Sequence, residues 1–118
     1  MAILDDTLLD RHYEEHLGKS FLPGLKAFMK SAPVVLMAVS GLKAVPTARF
    51  IVGATRGGEA DAGTIRGDFS MGMQNIVHAS SSPEAGEREV GIFFTDQELF
   101  DYSRPEYEYI YGEDERGE

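Results

Sequence analysis

Cysteine is absent from the 118 residues, which excludes a disulfide framework and any thiolate metal site. That composition fits a reducing compartment, and a cytoplasmic setting is the expectation. Basic side chains are scarce beside acidic ones, 11 Lys and Arg against 20 Asp and Glu, for a formal net charge of −9. Such a surface repels nucleic acid and anionic membranes unless cations are gathered locally. No long apolar run exists. "APVVLMAV" at 32–39 falls far short of the roughly 20 residues that span a bilayer. The opening "MAILDDTLLD" is acidic, unlike a signal or transit peptide. Internal repeats and linkers are lacking too, so the length accommodates one domain, expected over 1–112. The acidic 113–118 segment is expected to be a disordered tail.

What is present is 42% hydrophobic and 26% charged, enough for a core of useful size. Residues 6–17 have a helical pattern: Asp5 or Asp6 caps it, Leu9, Tyr13 and Leu17 form an i, i+4 stripe, and Gly18 stops it. A second short helix is expected at 21–30. "PVVLMAVSG" at 33–41 predicts a buried strand ending in a turn. Residues 43–52 suit a helix with Pro46 in its first turn. "GATRGGEADAGTIRGDFSMG" at 53–72 is polar and aperiodic, the mark of a long ordered or functional loop. Residues 75–78 suggest a short extended piece. Ser82 and Pro83 open a brief helix, "EVGIFF" at 89–94 predicts a second strand, and Thr95 with Glu98 matches a capping box. Alternation of the two periods argues for an α+β domain.

Three features bear on chemistry. "HYEEH" at 12–16 fits a zinc-binding H-x-x-E-H pattern, but no third ligand accompanies it. The favoured reading is an amphipathic helix with solvated histidines and an inward Tyr13. The glycine-rich loop is neither a Walker A sequence nor G-x-G-x-x-G. Arginines nevertheless flank it: Arg49, Arg56 and Arg66 can each fork onto phosphate oxygens, and Lys43, Thr55 and Thr64 add donors. Third, "NIVHASSSPEAGEREV" at 75–90 sets His78 before three serines. A carboxylate such as Glu89 can keep one ring nitrogen protonated and leave the other as a nucleophile, while hydroxyls fix the ring's orientation.

Taken together, "GTIRGDF" (63–69), "NIVHASSS" (75–82) and "EREVGIFF" (87–94) resemble the nucleoside diphosphate kinases. "HYEEHLGKSFLPGL" (12–25), "SAPVVLMAVSGLKAV" (31–45), "ARFIVGAT" (48–55) and the C-terminal "ELFDY…YIY" extend the resemblance over essentially the whole chain. It implies a ferredoxin-like βαββαβ fold. It also implies ping-pong transfer of the γ-phosphate of a nucleoside triphosphate to a nucleoside diphosphate, through a phosphohistidine at His78. Glu89 and Ser80 match the residues that orient the nucleophile, and Tyr13 the tyrosine beside it. Arg49, Thr55, Arg66 and Asn75 match positions that hold phosphates and ribose, and Phe21 and Leu25 lie where the base stacks. Lys19 stands where the family often has a further basic residue. Mg2+ is implied as cofactor, carried mainly by the phosphates. The implied partners are ATP, GTP and other nucleotides, and further copies of the chain in a dimer-based tetramer or hexamer. No nucleic acid or membrane partner is expected.

There are departures. The family's H-G-S-D-S is "HASSS" here, with Ala79 for glycine and Ser81 for aspartate. Arg56 and Gly57 stand for Asn-Pro, and one residue is missing between Asp68 and Asn75. The family's opening strand with Lys-Pro-Asp-Gly, its first helix and its second strand have no counterpart, so the expected fold is N-terminally truncated. The alternative function is a catalytically weak nucleotide-binding or assembly relic of the same family.

Overall fold

The computed structural model describes residues 1–116. The first helix, α1 (Asp6–His12), begins where the Asp5 carboxylate accepts the Leu8 N–H at 2.9 Å, satisfying a donor that the helix leaves free. It is shorter than the expected 6–17. Arg88 donates to the carbonyls of Arg11 (3.2 Å) and His12 (3.4 Å), closing its C-terminal end. A 3-10 turn at Glu14–His16 follows, and Gly18, at φ +81, reverses the chain. Helix α2 (Leu22–Met29) lies against α1 through Lys26–Asp10, Lys26–Asp6 and Lys30–Asp6 ion pairs at 2.5, 3.0 and 2.8 Å.

The segment expected to be a buried strand at 33–41 is not one. Its only bridge among the described residues is Ala2–Val34, antiparallel, with bonds of 2.9 and 2.8 Å. Val34 and Leu36 are half-buried, whereas Val35, Met37 and Val39 face outward. The apolar run therefore covers the core with one face and leaves the other bare. Helix α3 (Ala44–Val52) follows and ends on Gly53 at φ +91. There, a Cβ would meet Thr64 Oγ1 at 2.5 Å, so only glycine fits.

The glycine-rich stretch is ordered and carries more helix than its polarity suggested. It holds a 3-10 turn (Gly57–Glu59) and a short helix, α4 (Ile65–Phe69), whose cap Thr64 accepts the Gly67 N–H. Gly58 N–H bonds the Met71 carbonyl at 2.8 Å, folding the stretch back on itself.

Helix α5 (Pro83–Phe93) runs straight through "EVGIFF", so no strand forms there. Ser82 caps it, accepting the Ala85 N–H at 3.1 Å, and Pro83 supplies a preset φ at its first position. Once started, the helix outcompetes the strand preference of Val90 and Ile92, because Phe93 packs inward on α1 (ring centroid 5.2 Å from that of His12). Thr95 and Glu98 do form the capping box, around a 3-10 turn at Asp96–Glu98. A last helix, α6, spans Tyr107–Ile110. Gly112 to Arg116 make a turn in which the Gly112 N–H bonds Glu115. Residues 117–118 of the expected tail lie outside the described residues. Leu4, Leu9, Leu22 and Val52 form the buried apolar core. No helix among the described residues is long and apolar enough to cross a membrane.

Candidate active site

Three elements converge on His78. The segment from Ile76 to Ser80 supplies the imidazole and a hydroxyl, α5 supplies Glu89, and α1 supplies His12. His78 Nε2 lies 3.0 Å from Glu89 Oε2, and the Ser80 hydroxyl donates to the same oxygen. Burial alone would push the Glu89 carboxyl up. The bonds from Ser80 and His78 outweigh that and hold it below the ordinary carboxylate value. An ionised Glu89 accepts the Nε2 proton, which leaves Nδ1 of a neutral His78 with its lone pair. The His78 side chain is 45% exposed, so the ring is tethered on one side and open on the other.

His12 is not solvated, contrary to the expectation for "HYEEH". It is 6% exposed, on the same face of α1 as fully buried Leu9, three residues earlier. That spacing was the signal for its burial. Its ring stands edge-on to His78 (4.8 Å between centroids, 88° between planes) and to Tyr13 (4.4 Å). Burial, and then the charge of His78, push its pKa down to about 4. Its Nδ1 has no hydrogen-bond partner and lies 3.8 Å from Glu89 Oε1. His16 points elsewhere and meets Lys19 Nζ at 2.9 Å. His12 and His16 therefore do not share a site. Tyr13 is inward as expected, and burial, then Glu89, raise its pKa, so the phenol keeps its proton at neutral pH.

The cations are arranged unequally. Arg66 is 7% exposed. It donates to the Gly53 carbonyl (3.2 Å) and the Val77 carbonyl (2.7 Å), joining the end of α3 to the residue before His78. Burial, then the neighbouring Arg49, lower its pKa. Two guanidinium groups this close favour an anion between or beside them. Arg49 is exposed and donates to the Ala79 carbonyl at 3.3 Å. Arg56 is drawn aside towards Glu59 (4.0 Å) and remains exposed.

Asn75 Nδ2 donates to the Thr55 carbonyl at 2.6 Å, tying the loop to the turn before His78. In that turn Val77 N–H bonds Asn75 O at 2.7 Å while Ile76 sits at φ +59. A β-branched residue avoids that conformation, so the strain is held by the Asn75 and Arg66 bonds on either side. Phe21 is half-exposed and contacts His16 (5.6 Å, edge-on), which in turn stacks with Tyr13 (6.3 Å). Leu25 lies one turn along α2, its N–H bonded to the Phe21 carbonyl. The structure thus joins His78, Glu89, Ser80, Tyr13, Arg49, Arg66, Asn75 and Thr55 through direct or single-residue contacts, with Phe21 and Leu25 at the margin. His12, as a neighbour of His78, and Arg88, as the cap of α1, were missed. One group of three ligand-bearing side chains close enough for a metal occurs among the described residues: His12, His78 and Glu89.

Comparison with known proteins gives a consistent result. The family model for nucleoside diphosphate kinase matches residues 1–99. A nucleoside diphosphate kinase of Methanocorpusculum labreanum is 44% identical over 111 residues, covering 93% of this chain and 74% of the relative. One from Roseiflexus castenholzii is 46% identical over 109 residues (92% and 73%). Among solved structures, a halophilic nucleoside diphosphate kinase from Halobacterium salinarum in complex with CDP superimposes with a TM-score of 0.88 at 39% identity (95% and 75%). A Borrelia burgdorferi enzyme with bound vanadate and ADP gives 0.80 at 30% identity (89% and 72%). The expected nucleoside diphosphate kinase fold is therefore shared with these solved structures, although a single bridge is all the sheet pairing among the described residues. The chain belongs to the nucleoside diphosphate kinase family.

Proposed function

We propose that this chain moves the γ-phosphoryl group of a nucleoside triphosphate to a nucleoside diphosphate in two half-reactions through His78. The observation that carries the reading is the Ser80–Glu89–His78 chain of hydrogen bonds. It fixes the proton on Nε2 and leaves Nδ1 as the nucleophile. In the first half-reaction Nδ1 attacks the γ-phosphorus, the bond to the bridging oxygen breaks, and the diphosphate departs. As Nδ1 becomes bonded to phosphorus the ring turns cationic, and the Glu89 carboxylate stabilises that charge through Nε2–H. The second half-reaction is the reverse, with a different diphosphate as acceptor.

Phosphoryl transfer needs position and positive charge on the equatorial oxygens more than covalent work. Arg49, exposed beside His78, and Arg66 behind it supply that charge, with Thr55 and Asn75 towards the diphosphate and ribose. The protonated Tyr13 borders the reacting ring. Phe21 offers an exposed ring face, with Leu25 one turn along α2, on which any base can stack, so broad nucleotide specificity is expected. Mg2+ is the expected cofactor. Two imidazoles and one carboxylate are a poor match for a cation that prefers oxygen, so the His12–His78–Glu89 group does not fit Mg2+. We assign Mg2+ to the nucleotide phosphates and name no protein ligand. Outward-facing Val35, Met37, Phe50, Ile51 and Phe69 support assembly with further copies of the chain. A cytoplasmic setting goes with free nucleotides as substrates.

The test is to incubate the chain with labelled ATP and Mg2+. An acid-labile, base-stable label that disappears in His78→Ala is expected. No label, with nucleotide still bound, would favour the inactive relic.

A further inference from the structure

We infer that His12, His78 and Glu89 form a binding site for a borderline transition cation, Zn2+ or Co2+, that silences the phosphoacceptor. The binding does not rest on the proposed activity; its consequence does. The donor atoms of the three residues lie within 4.8 Å of one another. A tetrahedral zinc with bonds near 2.0–2.1 Å sets its ligands roughly 3.4 Å apart. Both histidines lie near that distance from the carboxylate, though from different oxygens of it: 3.0 Å from His78 Nε2 to Glu89 Oε2, and 3.8 Å from His12 Nδ1 to Glu89 Oε1. The remaining adjustment falls to the carboxylate, which turns to offer one oxygen to the ion, and to the half-exposed His78 ring, which is open on the side away from Glu89.

A second observation points to the same ligand. The His12 side chain is 3% exposed, and its Nδ1 is without a partner although it faces a carboxylate. A buried polar atom left unpaired is costly, and a cation held with Glu89 removes that cost. Two imidazoles and one carboxylate, with a fourth position open to solvent beside His78, suit zinc or cobalt and not magnesium.

Proton accounting gives the consequence. In the metal-free state the His78 proton is on Nε2, donated to Glu89. When the cation takes the Nε2 lone pair, a neutral ring must carry its proton on Nδ1. No net proton is released from His78, but the nucleophilic lone pair is gone. Metal occupancy and phosphorylation of Nδ1 therefore oppose each other. The H-x-x-E-H pattern is not the site, because only His12 of its two histidines takes part.

The experiment is titration of the chelator-treated chain with Co2+, read by visible absorption, and with Zn2+, read by calorimetry. One ion per chain is expected, with the intense visible bands of four-coordinate cobalt. Affinity should fall at least 100-fold in His12→Gln and in His78→Ala, and stay within threefold in His16→Gln. Since His78 is half-exposed, His78→Ala should keep the fold, which far-ultraviolet circular dichroism checks. Long-range proton–nitrogen NMR should show the His78 proton move from Nε2 to Nδ1 as zinc is added. Binding that survives both His12→Gln and His78→Ala, or is lost in His16→Gln, overturns the site. So does no stoichiometric binding at 100-fold excess of ion over chain. If the ion binds as described but the His78 proton stays on Nε2, the silencing is wrong even though the site stands.

Discussion

Arg66 links more of the site than any other cation, and replacing it with methionine exposes what that is worth. The change keeps most of the side-chain volume and removes both donors. The carbonyls of Gly53 and Val77, bonded at 3.2 and 2.7 Å, lose a charged partner. Such a bond contributes about 1.5–3 kcal/mol net. The longer one falls at the low end, and relief from burying a guanidinium offsets part of the sum. A net loss of about 3 kcal/mol follows. For a chain of this size about 4 °C accompanies each kcal/mol, so the melting midpoint should drop by about 12 °C. The assay is calorimetry, or circular dichroism at 222 nm, in the absence of nucleotide. Because the Val77 carbonyl adjoins His78, labelling of the histidine should also slow by about 100-fold. Arg66→Lys, a point charge without the fork, should recover half of the stability at most. A midpoint for Arg66→Met within about 2 °C of the parent would refute the reasoning.

Other expectations are simpler. Gly67→Ala places a Cβ 2.1 Å from the Asp61 carbonyl oxygen and 2.8 Å from Thr64 Oγ1. Backbone cannot yield cheaply, so a loss of about 3 kcal/mol is expected in urea unfolding, and a loss under 1 kcal/mol would contradict the packing. Ser80→Ala removes one of the two donors to Glu89. It should lower kcat about 10-fold with little change in KM, and an effect confined to KM would show that Ser80 binds nucleotide instead. Buried His12 has its pKa pushed down to about 4, against an unfolded value near 6.5. As pH falls below about 6.5 the unfolded chain takes up the proton first, so stability is full above that pH and declines until about 4. The span corresponds to roughly 3 kcal/mol at most. Unfolding with chelator present should show that decline in the parent, and His12→Gln should show a flatter curve over the same interval.

The site was more legible in the sequence than the fold that holds it. Caps are local chemistry, so Asp5, Ser82 with Pro83, and the Thr95–Glu98 box stood out and formed. The carboxylate of Glu89 and the hydroxyl of Ser80 were paired with His78 from residue type, nearness in sequence and the family resemblance; Glu89 reaches the ring directly and Ser80 through Glu89. "EVGIFF" was misleading because a short apolar run has no period of its own. Ser82 had already begun a helix 7 residues before Glu89, and the run is that helix's last turns. "PVVLMAV" is the continuous apolar run of a buried strand, yet hydrogen-bonded pairing depends on a neighbour that no window of sequence displays. The polarity of His12 hid its burial, although its position three after Leu9 on a capped helix placed it on the core face. Nothing local distinguished Arg66, which is buried, from Arg56, which is not. Only the folded loop separates them.

The central claim is that His78 accepts phosphorus on Nδ1 while Glu89 holds the proton on Nε2. Long-range proton–nitrogen NMR of the histidine-labelled chain, recorded after ATP and Mg2+ are added and the nucleotide removed, reads both nitrogens at once. A phosphorylated Nδ1 with a protonated Nε2 on His78 is predicted. Phosphorus on Nε2, or on any residue other than His78, would contradict it.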